Sequence, residues 1–90
     1  MAIRIPPVTI RLLYFASFRD ARKRDEEERD VPSGSTVGSV WEILAADVPE
    51  FRRYSRMPAA AVNGEYAQEG ERLREGDEVA FLPPVSGGTC

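Results

Sequence analysis

The sequence predicts an α+β domain in which one main helix packs across a mixed sheet of about five strands. Three observations carry that reading. Several short segments alternate, or are bounded by turn residues, as strands are. One segment alone, "STVGSVWEIL", keeps strong helical spacing. The two most apolar strand-like segments stand first and last in the order. A lone amphipathic helix needs a sheet to cover, and a sheet needs cover over one face, so one helix on one sheet satisfies both.

Val8 to Phe15, "VTIRLLYF", alternates Val8, Ile10, Leu12 and Tyr14 with Thr9, Arg11, Leu13 and Phe15. Thr9 and Arg11 mark the second set as the wet face, which leaves Leu13 and Phe15 on it. Residues 16 to 30, "ASFRDARKRDEEERD", are mostly charged and read as a solvated short helix or loop. A second strand starts near Glu27 and ends at Pro32. Ser35 or Thr36 is placed to N-cap the helix. Val37, Val40, Trp41 and Leu44 then follow i, i+3, i+4 and i+7, and Pro49 ends the run.

Residues 50 to 58 read as irregular or as a short helical turn. "AAAVNGEYA" reads as a β-hairpin, because Asn63-Gly64 easily takes the positive φ values of a type I′ turn. A further turn at Glu75-Gly76-Asp77 leads into a last strand from Glu78 to Leu82. Val79 and Phe81 share one of its faces, Ala80 and Leu82 the other. Pro83 and Pro84 stop that strand and remove its ladder donors. The last strand is expected in the centre of the sheet, beside the first.

The 90 residues make one domain, 1–90, with residues 83–90 as a flexible tail. A chain of this size buries roughly 60–65% of its unfolded surface, and a hydrophobic content of 42% suffices for the modest core that results. One cysteine and no histidine exclude an internal disulfide, an iron–sulfur cluster, a zinc site and a histidine general base. No metal site is expected. The net charge of −3 argues against nucleic acid as a partner. No apolar run approaches a membrane span, and the first seven residues lack a signal-peptide core, so a soluble cytoplasmic protein without membrane association is expected. Basic residues comprise eleven arginines and one lysine, Lys23.

The pieces "IRLLYFASFRD", "STVGSVWEIL", "AAAVNGEYA" and above all "GDEVAFLPPVSGG" resemble the small subunit of molybdopterin synthase, across residues 8 to 88. That family consists of β-grasp, ubiquitin-like sulfur carriers related to the thiamine-type carriers. The resemblance implies that a partner enzyme uses ATP to adenylate a C-terminal glycine carboxylate and that sulfur then replaces AMP. The resulting thiocarboxylate enters the large synthase subunit, where its sulfur goes to a pterin precursor. It assigns Gly88 as the reacting residue, Gly87 as its companion, and Val85 and Ser86 to the arm.

The residues suit that assignment. A carrier without catalytic groups of its own supplies a carboxyl on an arm, while its partners supply the chemistry and no cofactor is bound. Val85 to Cys90 reach at most about 20 Å. Glycine lacks a Cβ and can thread a narrow channel, and Pro83-Pro84 limit the arm's directions and so the entropy lost on insertion. Leu13, Phe15, Leu82 and Tyr66 can form one exposed apolar patch, since neighbouring strands lie about 4.8 Å apart. Such patches mark partner sites, and the resemblance implies docking there by the activating enzyme and the large subunit. Alternatively these residues fill a small cluster under the charged 16–30 segment.

Family members end at the second glycine, whereas here Thr89 and Cys90 follow it. Gly88 then has no free carboxylate, and the chain as written is expected to be a precursor that a protease trims. A persulfide on Cys90, or a non-functional copy, are the other readings of this ending. Other destinations stay open: sulfur carriage for thiamine, cysteine or tRNA thiolation, isopeptide modification of other proteins, or a binding module without tail chemistry.

Overall fold

The structure is a computed structural model that describes residues 6–53 and 57–82. Five strands form one sheet: β1 Val8–Tyr14, β2 Glu26–Val31, β3 Ala59–Val62, β4 Glu65–Ala67 and β5 Glu78–Leu82. Their spatial order is β2-β1-β5-β3-β4. β5 pairs parallel with β1 and antiparallel with β3, so the last strand is central and beside the first, as expected. The helix α2, Val37–Asp47, packs on one face. This is the β-grasp arrangement implied by the sequence resemblance.

The helix begins where its chemistry says it should. Thr36 is the N-cap: its hydroxyl accepts from the Ser39 amide, and the Ser39 hydroxyl accepts from the Thr36 amide, a reciprocal capping box. The next amides are satisfied from a distant loop, Val37 N–H by the Glu71 carbonyl and Gly38 N–H by the Glu69 carbonyl. A Cβ on Gly38 would meet that Glu69 oxygen at 3.3 Å, which explains a glycine inside the first turn. Val37, Val40, Trp41 and Leu44 are all buried, matching the spacing in the sequence.

At the hairpin, Asn63 and Gly64 have φ of 53° and 85°. Asn63 also reaches across the sheet. Its side-chain carbonyl accepts from the Glu78 amide, and its amide group donates to Asp77. The same residue therefore closes β3–β4 and fixes where β5 begins.

The segment after β1 departs from the expectation of a solvated stretch. Residues Ala16–Arg22 form a seven-residue helix, α1, and Phe18 within it is 1% exposed. A 3₁₀ turn over Pro49–Arg53 buries Phe51 in the same way. Their rings meet at 4.8 Å, and both contact Trp41 of α2, at 5.7 Å from Phe18 and 5.3 Å from Phe51. Trp41 in turn meets Phe81 of β5 at 5.2 Å, and Tyr14 of β1 lies 6.5 Å from Phe51. One aromatic cluster thus ties two strands, two helices and the 3₁₀ turn together.

Truncating Phe18 to alanine should cost about 3–5 kcal/mol, as for other buried aromatics, although its segment reads as solvated. Thr36→Ala should cost about 1 kcal/mol. Urea unfolding midpoints check both; a loss for Phe18→Ala no larger than that for Thr36→Ala would mean that α1 is not docked.

Candidate functional site

The site is built around the end of β5. Phe81, the second-last residue of that strand, is 1% exposed and sits against Trp41. Leu82 follows on the opposite, open face of the sheet and is half-buried. The expected reacting residue Gly88, with Val85, Ser86 and Gly87 of the arm, lies outside the described residues, as do Thr89 and Cys90. What the described residues show is the root of that arm, held by neighbours on both sides and by an aromatic ring beneath.

The open face above this root is apolar. The register aligns Leu13 with Ala80, Ala80 with Ala61 and Ala61 with Tyr66, so these four residues form one row across β1, β5, β3 and β4. Leu82 pairs with Ala59 in the next row towards the end of β5. Phe15, two residues beyond Leu13 and still extended, belongs to that second row. Tyr66 is 82% and Phe15 46% exposed, and they are the large exposed hydrophobics among the described residues. All four residues expected in the patch therefore share the open face beside the end of β5.

Sequence reasoning missed the middle of that face. Ala59, Ala61 and Ala80 form a floor of small side chains between Leu13 and Phe15 on one side and Tyr66 on the other. The alternation in "AAAV" shows which alanines share a face, but only the pairing with β5 shows that they continue the row of Leu13. Ala80 is buried although it lies on the open face, because a methyl in a central strand is overshadowed by its neighbours.

Behind Phe15 the chain turns sharply, with Ala16 at φ 50°, a left-handed conformation that is costly for alanine. The corner this makes is locked electrostatically. Arg22 of α1 donates two hydrogen bonds to Glu27 of β2, at 2.7 and 3.0 Å. The Glu27 side chain is only 9% exposed. Those hydrogen bonds hold the Glu27 carboxyl below the usual carboxylate range, against the opposing effect of its burial. The same pairing raises the Arg22 guanidinium further. The Tyr14 hydroxyl is buried beside this pair. Burial first, and the Glu27 charge second, push its pKa up to about 12.

Among the described residues no set of His, Cys, Asp or Glu side chains is grouped to hold a metal ion, and no helix is long and apolar enough to cross a membrane.

The model of the ThiS family matches residues 12–88. The chain belongs to the ThiS family. It is 35% identical over 82 residues to the molybdopterin synthase sulfur carrier subunit of Mycobacterium tuberculosis, covering 90% of this chain and 99% of that one. The subunit of the same name from Chlamydomonas reinhardtii is 33% identical over 81 residues, covering 88% and 98%. Among solved structures, SAMP1 from Haloferax volcanii superposes with a TM-score of 0.74 at 30% identity, over 89% of this chain and 99% of that one. The family and the β-grasp fold expected from the resemblance are therefore those of the protein.

The Arg22–Glu27 pair gives a prediction with a definite sign. Because folding lowers the Glu27 pKa, the pair stabilises fully above the ordinary value of 4.5 and loses its contribution as pH falls through the depressed value. Glu27→Gln should lower the melting temperature at neutral pH, and the gap from wild type should close in acid. A gap that stays constant across thermal melts down to pH about 3 would rule out a charge-based contribution.

Proposed function

We propose that this chain is a sulfur carrier of molybdenum cofactor synthesis, the small subunit of a molybdopterin synthase. The observation that carries the reading is a coincidence at one pole. The central strand ends there and leads through Pro83-Pro84 to the diglycine, and the exposed apolar face lies beside it. The relatives named above carry that function in their names and are matched over nearly their whole length.

The chemistry falls to Gly88. The family match ends on this residue, leaving Thr89 and Cys90 beyond it, which supports removal of those two by a protease. The freed carboxylate attacks the α-phosphate of ATP on a partner adenylating enzyme, with release of pyrophosphate. A sulfur nucleophile then displaces AMP to leave the thiocarboxylate. The carrier itself binds no cofactor. Leu13, Phe15, Tyr66 and Leu82 dock the body on its partners while Val85, Ser86 and Gly87 pass through to the active site.

Structural likeness to SAMP1, the small archaeal modifier protein 1 of Haloferax volcanii, favours a second reading as a modifier of other proteins. Both readings use the same activated glycine and differ in the nucleophile that consumes it. Sulfur carriage for another thiolation pathway differs only in the final acceptor.

A chain truncated after Gly88 should form AMP and gain the mass of an oxygen-to-sulfur exchange when given ATP, the cognate adenylating enzyme and a sulfide source. The full chain should do neither. Adenylation of the uncut chain, or failure of the cut one, would refute the assignment of Gly88. Isopeptide adducts on lysines of other proteins in the native cell, without sulfur transfer, would favour the modifier.

A further inference from the structure

The open face of the sheet is charged as well as apolar, and its charge is one-sided. Three residues of β2 point to this face: Glu26 opposite Leu13, Glu28 opposite Arg11 and Asp30 opposite Thr9. All three are exposed carboxylates. Glu78 of β5, aligned with Arg11, adds a fourth. Arg11 is the one cation on the strands of this face, and it already lies 3.4 Å from Glu26 and 3.5 Å from Glu78. Glu28 has no ion pair among the described residues, and Asp30 only accepts from the neutral Thr9 hydroxyl.

The other face of β2 is arranged differently. Its charges are matched, Glu27 to Arg22 and Arg29 to Asp47. Within β2, the carboxylates without a cation of their own therefore stand on the open side. With alternate residues about 6.8 Å apart, the three β2 carboxylates make a rail about 14 Å long. The rail borders the apolar rows at Leu13, and the alanine floor of Ala59, Ala61 and Ala80 lies beyond it.

From this juxtaposition we infer that the occupant of the open face is a folded protein surface of specific shape and charge. It places an apolar projection over the alanine floor and sets a row of arginine or lysine side chains along β2. The apolar contact holds the complex, since the floor is dry when covered. The rail acts earlier, drawing the basic surface in and fixing its orientation before contact. It also selects against acidic partners, because unpaired like charges across an interface are costly. That occupant is the large synthase subunit, which must align strictly because Gly88 has to reach its active site while the body is docked. This identification rests on the sulfur-carrier reading.

The test uses the full chain and the large synthase subunit from the same organism, with association followed by stopped flow. Glu26→Gln, Glu28→Gln and Asp30→Asn are combined in one isosteric variant. It is compared with wild type at about 0.1 M and about 1 M salt, where charges act over about 10 Å and about 3 Å. The rail predicts an association rate at least about tenfold slower for the variant at low salt and equal rates at high salt. Tyr66→Ala, at a position too exposed to disturb folding, should instead raise the dissociation rate at both salt concentrations. Equal association rates for wild type and the neutralised variant at low salt would overturn the rail while leaving the sulfur-carrier reading intact. An unchanged dissociation rate for Tyr66→Ala would overturn the apolar seat. If wild type shows no binding to the large subunit at either salt concentration, the sulfur-carrier reading falls and the inference with it.

Discussion

Five aromatic rings hold the end of β5 in place, and the rest of the molecule is organised around that constraint. Tyr14, Phe18, Trp41, Phe51 and Phe81 come from five different elements. Trp41 is stacked on Phe51, their planes 7° apart, and tilted against Phe18 and Phe81. Such pairs add about 0.5–1.5 kcal/mol each beyond the area they bury. In a domain whose total stability is only about 5–15 kcal/mol, the cluster is a large fraction of what keeps it folded. A carrier needs a fixed base for its arm, because every degree of freedom at the root must be lost when the arm enters a partner. Trp41 carries the cluster to Phe81, the second-last residue of β5.

The sheet then separates two tasks by its pleat. Successive side chains point to opposite faces, so Phe81 serves the core while Leu82 serves the surface. The same alternation along β1 sends Tyr14 down and Phe15 up. Along β2 it sends Glu27 and Arg29, each with its ion pair, to the helix side, and Glu26, Glu28 and Asp30, of which only Glu26 meets a cation, to the open side. Stability and recognition are thus encoded in interleaved residues of the same strands. A shift of one residue in register would exchange them, and the Asn63 bonds to Asp77 and Glu78 oppose such a shift at β5.

Local chemistry made much of this readable in advance. Thr36 as a cap, the four buried helix positions, the Asn63-Gly64 turn and the limits of β5 all follow from rules acting over a few residues. Leu13, Phe15 and Leu82 of the open face were legible for the same reason, since alternation alone assigns them to a side. Phe18 was not legible. A seven-residue helix offers a single buried position, and one apolar residue among charges has no period to detect. Ala59, Ala61 and Ala80 were overlooked because small residues acquire meaning from what stands on either side of them.

The sequence by itself determined the strands and the main helix, the ends of that helix and of the last strand, and the diglycine on which the chemistry is proposed to depend. These are properties of neighbouring residues, and the covalent chain keeps neighbours together in any fold. Only the tertiary structure decided that Phe18 and Phe51 close over Trp41, that three alanines from two strands form one floor, and that the β2 carboxylates stand beside it. Those are contacts between segments far apart in the chain, fixed by strand order and register rather than by any local preference.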